Sequence, residues 1–392
     1  MKISLFSETI FGAGEARHLP EHLRALGLTR PLLLIDDVVA KVNHVGRLTR
    51  GWAESGVTFV REVHVRGNAE PDYNYLDQVT DDIRTLSPDS VVAVGGGSTL
   101  DLAKGVGILL TNPGRGIDYR GMNKVQAPGA PVILVPTTAG TGSEVTRTAS
   151  FIDTDARKKL GINGRFVNST LAILDPEMTA SCPSAVTTGA GLDALVHAIE
   201  GVTCGTATPV SQYMGREGVR LVFRSLARAV SSPDDIDARA DVLLGSHYAG
   251  LSMWNAGGGP ASGISYPLGA HYAVPHGLAG GILLPHVVAF NVSKGHYKPY
   301  AWLYDALDNR DQSRTTEQAK AEGFRDAFYE LVARLDVPPN LARWGVTTDE
   351  VSRITELTMT QRKENLDLNP VMFSAEDVRD LVARVAGQPA AV

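Results

Sequence analysis

The apolar run Ser90–Val94 (SVVAV), followed at once by Gly95-Gly96-Gly97-Ser98 and a helical stretch, constrains the fold most. A short valine-rich run of this kind reads as a strand buried on both faces. Glycines without Cβ atoms then let backbone N–H groups approach a ligand closely. The helix that follows offers unbonded N–H groups and the positive end of its dipole, so strand, turn and helix together form an anion site. Ser98 is placed to cap this helix, and Asp101 falls in its first turn.

The same alternation continues around this unit. Apolar runs occur at Pro31–Ile35 (PLLLI), Val57–Val65 (VTFVREVHV) and Val132–Val135 (VILV), with helical stretches at Asp72–Leu86 and Leu100–Leu110. Short strands alternating with helices predict βαβ units and a parallel sheet. Past Pro176 the pattern turns helical, over Pro183–Val202, Pro209–Ala229, Asp235–Trp254 and Glu317–Leu335. The expected architecture is an α/β, Rossmann-like dinucleotide-binding domain over residues 1–176 and an all-α domain over 177–392. The cleft between them is the expected site. The closing GQPAAV reads as a loose tail.

Composition narrows the function class. A chain of 392 residues builds a core without metal or disulfide staples. A net charge of −6 with interspersed signs argues against nucleic acid as partner. Only Cys182 and Cys204 are present, no apolar stretch reaches about 20 residues, and the first residues lack a signal-peptide pattern. These features predict a cytoplasmic protein with no membrane segment.

Two more elements point to a dinucleotide. The loop Pro136–Glu144 (PTTAGTGSE) follows VILV and offers hydroxyls and glycines suited to ribose, pyrophosphate and amide contacts. Asp36-Asp37 closes PLLLI. A carboxylate at a strand's carboxyl end accepts from a ribose 2′-OH and repels a 2′-phosphate, which favours NAD over NADP. A helix N-cap is the competing role for one of the two aspartates. Here the acid precedes the glycines by about sixty residues, whereas the usual fingerprint has it about twenty residues after them.

In this order, GGGSTLDLAK, PTTAGTGSEVT, DALVHAIE and VPHGLAGGILLPHV resemble the iron-dependent (group III) alcohol dehydrogenase family. The resemblance runs from near Gly12 to Asn369-Pro370. It implies hydride transfer between a nicotinamide and an alcohol or aldehyde carbon, and a homodimer or larger homo-oligomer. It implies cofactor roles for Asp36, Gly95, Gly96, Gly97, Ser98, Asp101, Thr137, Thr138, Thr141 and Lys159.

Asp193 and His197 lie four apart on a helical stretch and so share a face. With His276 they match three of the family's four metal ligands (iron or zinc). The fourth, a histidine fourteen residues before His276, is replaced by Ser262, and Tyr266 stands where many members carry a second histidine. A serine hydroxyl is a poor ligand for a transition metal. Three readings follow: three ligands suffice, His271 substitutes, or side chains polarise the carbonyl without a metal. Tyr266 or His271 is expected to relay the proton. Arg147 is a candidate for holding a carboxylate- or phosphate-bearing substrate, against a structural pairing with Glu144 or Asp153. Competing functions are a dehydroquinate-synthase-like lyase with transient NAD redox, and a nucleotide-binding paralogue that has lost its metal.

Overall fold

The computed structural model describes residues 3–42, 52, 55–66, 70–156 and 158–388. The chain divides into two compact units, one of Leu5–Pro183 with Pro233–Leu243, the other of Met1–Ser4, Ser184–Ser232 and Leu244–Val392.

The first unit runs β1 (Glu8–Phe11), α1 (Leu19–Ala25), β2 (Pro31–Asp36), α2 (Asp37–Ala40), β3 (Arg61–Val65), α3 (Tyr73–Arg84), β4 (Ser90–Gly95) and α4 (Gly97–Thr111). It continues with β5 (Gly121–Met122), β6 (Val132–Pro136), β7 (Thr148–Asp153), β8 (Lys158–Asn163) and β9 (Leu171–Leu174). Six strands form one sheet in the order β1-β9-β6-β4-β2-β3, and every pairing in it is parallel. Alternation along the strands explains its burial on both faces. Leu32, Leu34, Val91, Ala93, Val132 and Leu134 enter one core, with α3 and α4 residues. Leu33, Ile35, Val92, Val94, Ile133 and Val135 enter the other, with Leu19 and Leu23 of α1.

The chain order within this sheet reverses beside β2. β2 leads outward to β3, and β4 then returns to the other side of β2, with β6 and β9 beyond it. Carboxyl ends that flank such a reversal open a crevice where ligands bind in open α/β sheets.

A second, three-stranded sheet has the order β5-β8-β7, with β7 and β8 antiparallel. It was not expected. Neither was β1, an edge strand with no buried residue, nor the four-residue β9. The strand expected over Val57–Val65 spans only Arg61–Val65.

The helices of the chain's second half are α5 (Ser184–Thr203), α6 (Pro209–Ser231), α7 (Ile236–Ala256), α8 (Pro260–Tyr272), α9 (His276–Ser293), α10 (Lys298–Tyr304), α11 (Glu317–Arg334), α12 (Val351–Gln361), α13 (Lys363–Asp367) and α14 (Ala375–Val385). α7 begins among the residues assigned to the first unit. Within the second unit α5 packs on α6 and α9, and α8 packs on α9. Glycines permit these approaches. A Cβ at Gly277 would lie 2.2 Å from the Gly189 carbonyl oxygen, so α9 and α5 touch backbone to backbone there. The tail expectation needs correction at Gly387, which is buried and exchanges hydrogen bonds with Val346 and Thr348. The final four residues, 389–392, lie outside the described residues. Among the described residues, no helix is long and apolar enough to cross a membrane.

Candidate active site

The reversal in the first unit brings the acid and the glycines together. Ile35 and Val94 are paired in register, so Asp36 and Gly95 are the next residues at the carboxyl ends of adjacent strands. This accounts for the inverted sequence order, because the sheet rather than the chain makes them neighbours. Asp36 also caps α2, its Oδ1 accepting from Val38 N at 2.8 Å and more weakly from Val39 N at 3.4 Å. The N-cap of α4 is Gly96, with no side-chain cap bond. Ser98 is therefore the second residue of the helix and not its cap, a correction to the sequence expectation. An uncapped N-terminus facing a glycine turn suits an anion.

The threonine loop lies against the same turn. Thr137 N donates to the Gly95 carbonyl at 2.9 Å. A Cβ on Gly97 would fall 2.6 Å from Thr141 Cγ2, whereas one on Gly96 meets nothing nearer than Thr138 Oγ1 at 3.4 Å. Asp101 works from behind. Its Oδ1 accepts from Ser143 Oγ at 2.5 Å and lies 3.0 Å from Lys104 Nζ, and its Oδ2 accepts from Ser150 N at 2.9 Å. That carboxylate ties α4 to the threonine loop and β7. Lys159, on β8, is paired with Glu70 at 2.5 Å.

Arg147 does not join this group. Its guanidinium stacks on Phe6, 3.1 Å from the ring centroid. Phe6 leads into β1, whose Glu8 pairs with Leu171, so it lies at the amino-terminal edge of the sheet. Of its two expected structural partners, Asp153 is paired with Arg120. Burial first, and then Arg165 nearby, draws the Arg147 pKa below its ordinary value.

In the second unit, α5 carries Asp193, His197 and Glu200 at helical spacing. Asp193 Oδ1 lies 3.6 Å from His197 Nε2 and 3.9 Å from His276 Nε2. Ser265 Oγ is hydrogen-bonded to His276 Nδ1 at 3.1 Å, which orients that ring. Tyr266 lies beside it with ring centroids 4.9 Å apart. His271 is five residues on, about 140° round the helix, and is exposed on the last turn of α8.

Sequence reasoning missed two residues here. Arg362 lies over Tyr266, its guanidinium carbon 3.8 Å from the ring centroid. Glu200 is buried and caps α8 from a different helix, its Oε1 accepting from Ala261 N at 2.7 Å and its Oε2 from Ser262 Oγ at 2.5 Å. Gly259 is required at that cap because a Cβ would lie 2.8 Å from Glu200 Cδ. Burial pushes the Glu200 carboxyl above the ordinary carboxylate range, opposed by the bonds from Ser262 and Ala261. The helical repeat of DALVHAIE places Glu200 on the face of His197, which was the available signal. For Arg362 the sequence held none.

Removing Glu200 tests the cap. Glu200→Leu leaves buried donors of Ala261 and Ser262 unmet and is expected to destabilise the protein by about 2–6 kcal/mol, at about 1–3 kcal/mol per orphaned group. Glu200→Gln retains an acceptor and is expected to cost less than half as much in denaturant titration. Equal losses would mean that the charge, rather than the cap, matters.

Residues 7–176 match the iron-containing alcohol dehydrogenase family, and residues 186–386 match the C-terminal part of the Fe-containing alcohol dehydrogenase family. The chain belongs to this family. It is 29% identical over 378 residues to the NAD-dependent methanol dehydrogenase of Bacillus methanolicus, covering 95% of this chain and 97% of that one. The fold matches 1,3-propanediol oxidoreductase with a TM-score of 0.91 and 27% identity, over 98% of this chain and 100% of that one. It also matches the sulfoacetaldehyde reductase of Bifidobacterium kashiwanohense in complex with NAD+, with a TM-score of 0.85 and 26% identity over 98% of each chain. The chain is thus an alcohol dehydrogenase-family oxidoreductase.

The family's name implies iron, and the donors present do not fit a four-ligand site. Asp193 approaches each histidine, yet among the described residues no group of three His, Cys, Asp or Glu side chains is arranged to hold an ion. At the fourth position the Ser262 hydroxyl is committed to Glu200. Metal-bound histidines nearly always pass their second ring nitrogen to an acceptor. Here His197 Nδ1 is buried without a hydrogen-bond partner.

Proposed function

We propose that this oxidoreductase interconverts an alcohol and its aldehyde or ketone by hydride transfer with NAD, held at the carboxyl ends of β2 and β4. One observation carries the reading: Asp36 and the uncapped glycine turn of α4 meet at the point where the sheet reverses. The NAD-dependent relative and the NAD+-bound neighbour support it. When bound, the nicotinamide supplies or takes up the hydride. The N–H groups of Gly97 and Ser98 hold the pyrophosphate, and Thr137, Thr138 and Thr141 contact the remainder of the cofactor. A carboxylate has about four lone-pair sites, so Asp36 caps α2 and still accepts from a ribose hydroxyl. Asp101 positions the two loops, and Lys159, paired with Glu70, is read as a further cofactor contact.

Tyr266 and His276 face the substrate oxygen in this reading, and they carry its proton while Ser265 fixes the imidazole. No step is assigned to a metal. We also read the working form as a homo-oligomer, with the outer edge of β1 and the exposed Phe11 as the surface that favours self-association.

Turnover of an aldehyde panel with NADH and with NADPH tests the proposal. The kcat/KM with NADH is expected to exceed that with NADPH by about tenfold or more, a difference of about 1.4 kcal/mol, because Asp36 meets the 2′-phosphate with like charge. Asp36→Ser is expected to narrow that gap. Equal use of NADPH by the parent protein would contradict the assignment of Asp36. Tight NAD binding with no net change in NADH would favour the lyase or paralogue readings.

A further inference from the structure

We infer that Asn369 is a positioning residue for the reaction: paired with Asn291, it holds residues 362–369 on α8 and so keeps Tyr266 beside His276. The inference rests on the reading that Tyr266 works at the substrate oxygen, and it names what sets that residue's place. Asn369-Pro370 closes the stretch that resembles the family, and no part of the hydride-transfer reading uses it. Asn369 is 8% exposed and Asn291, on α9, is fully buried. Burying two amides costs free energy unless each polar atom finds a partner. Here all of them do. Each Nδ2 donates to the other's Oδ1, at 3.0 Å from Asn291 and 2.8 Å from Asn369. The second donor of Asn291 goes to Tyr300 Oη at 2.8 Å, and that of Asn369 to the Val371 carbonyl at 2.6 Å. A reciprocal pair with both remaining donors committed fixes both amide planes, where a single bond would pivot.

Residues 362–369 act on Tyr266 because they pack on the helix that bears it. α12 and α13 both contact α8. Arg362, at the break between them, lies over the Tyr266 ring with its guanidinium carbon 3.8 Å from the centroid. A Cβ at Gly263, about one turn before Tyr266, would lie 2.9 Å from Asn365 Cβ, and one at Gly257 would lie 2.8 Å from Leu368 Cδ1. α8 is itself interrupted at this point. Pro267 lies inside the helix and has no N–H to return to the Gly263 carbonyl, and an interior proline kinks the turn before it. Tyr266 therefore depends on the segment stacked against it for part of its support. The amide pair anchors that segment to α9, the helix that begins with His276. The Leu368 carbonyl, accepting from Gly205 N at 2.7 Å, anchors it to the loop after α5. The rings of Tyr266 and His276, with centroids 4.9 Å apart, thus take their spacing from two helices joined through Asn291 and Asn369.

Replacing both amides at once, Asn291→Leu with Asn369→Leu, removes the pair without orphaning either partner, which a buried site tolerates better than the loss of one. Should that double variant not fold, Asn369→Ser, which leaves room for water to meet Asn291, takes its place in each measurement. In the folded variant, amide hydrogen exchange over α8 is expected to quicken at least about tenfold, while exchange over α6 stays as in the parent protein. With NADH and the best aldehyde of the panel, kcat is expected to fall about 10–100-fold with little change in KM, since a displacement of about 1 Å costs up to about that much. The same fall is expected to vanish in a Tyr266→Phe background, because a residue that acts through Tyr266 then has nothing left to position. If Tyr266→Phe turns over as fast as the parent protein, the reading of Tyr266 has failed, and exchange over α8 alone then decides whether Asn369 holds this helix. Unchanged exchange over α8 would overturn the inference. So would an unchanged kcat in the variant, or a full further loss on top of an impaired Tyr266→Phe.

Discussion

Gly96→Val is expected to fold normally and to lose NAD affinity by about 100-fold. At Gly96 the nearest atom to an added Cβ is Thr138 Oγ1 at 3.4 Å, and the backbone there is extended, with φ −76° and ψ 179°. The protein alone therefore accommodates a Cβ there. The methyl groups would instead occupy the space before the first N–H groups of α4, where a pyrophosphate has to approach the backbone. Crowding of this kind costs about 1–3 kcal/mol, or about 10–100-fold in affinity, and the lost phosphate contacts place the result at the upper end. Gly97→Ala makes the control, since its Cβ meets Thr141 at 2.6 Å and disturbs both loops. It is expected to lower Tm as well as affinity. Calorimetric titration with NAD, with a thermal melt of each variant, checks both. Unchanged affinity in folded Gly96→Val would make the turn purely structural.

The second large effect is a gain. Ser262→His is expected to raise affinity for zinc or cobalt at least about 100-fold over the parent protein, because even groups that only orient metal ligands move affinity by about 10–100-fold. The substitution frees position 262 from the Ser262–Glu200 hydrogen bond and adds an imidazole to the Asp193, His197 and His276 set. Cobalt absorption bands would report tetrahedral ligation directly. If the parent protein already binds cobalt as tightly, three donors suffice and the misfit drawn from His197 and Ser262 is wrong.

How much was legible depends on which interactions carry each feature. PLLLI, SVVAV and VILV are strands buried on both faces, and their unbroken apolar runs marked them in the sequence. β1 is an edge strand with exposed ends and carries no such run. β7 does alternate in burial, but half of the alternation falls on Thr148, Ser150 and Ile152, which blur the polar face. The glycine and threonine loops were legible because their close mutual approach demands small and hydroxyl residues in local order. Asp36 was legible as a carboxylate at a strand end, while its neighbour in space was fixed only by strand order. Arg147 and Arg362 show the limit. Each stacks on an aromatic ring distant in sequence, Phe6 for one and Tyr266 for the other, and no local pattern distinguishes the two arginines.

The central claim is that this family member moves hydride between NAD and an aldehyde or alcohol using its own side chains at the substrate oxygen. It is tested most directly by net NADH oxidation with succinic semialdehyde and butanal, on protein stripped with chelator and verified metal-free by elemental analysis. The account predicts steady turnover of one or both aldehydes, reduced by Tyr266→Phe and unaffected by returned zinc or iron. Turnover that vanishes on stripping and returns only with added metal would contradict it.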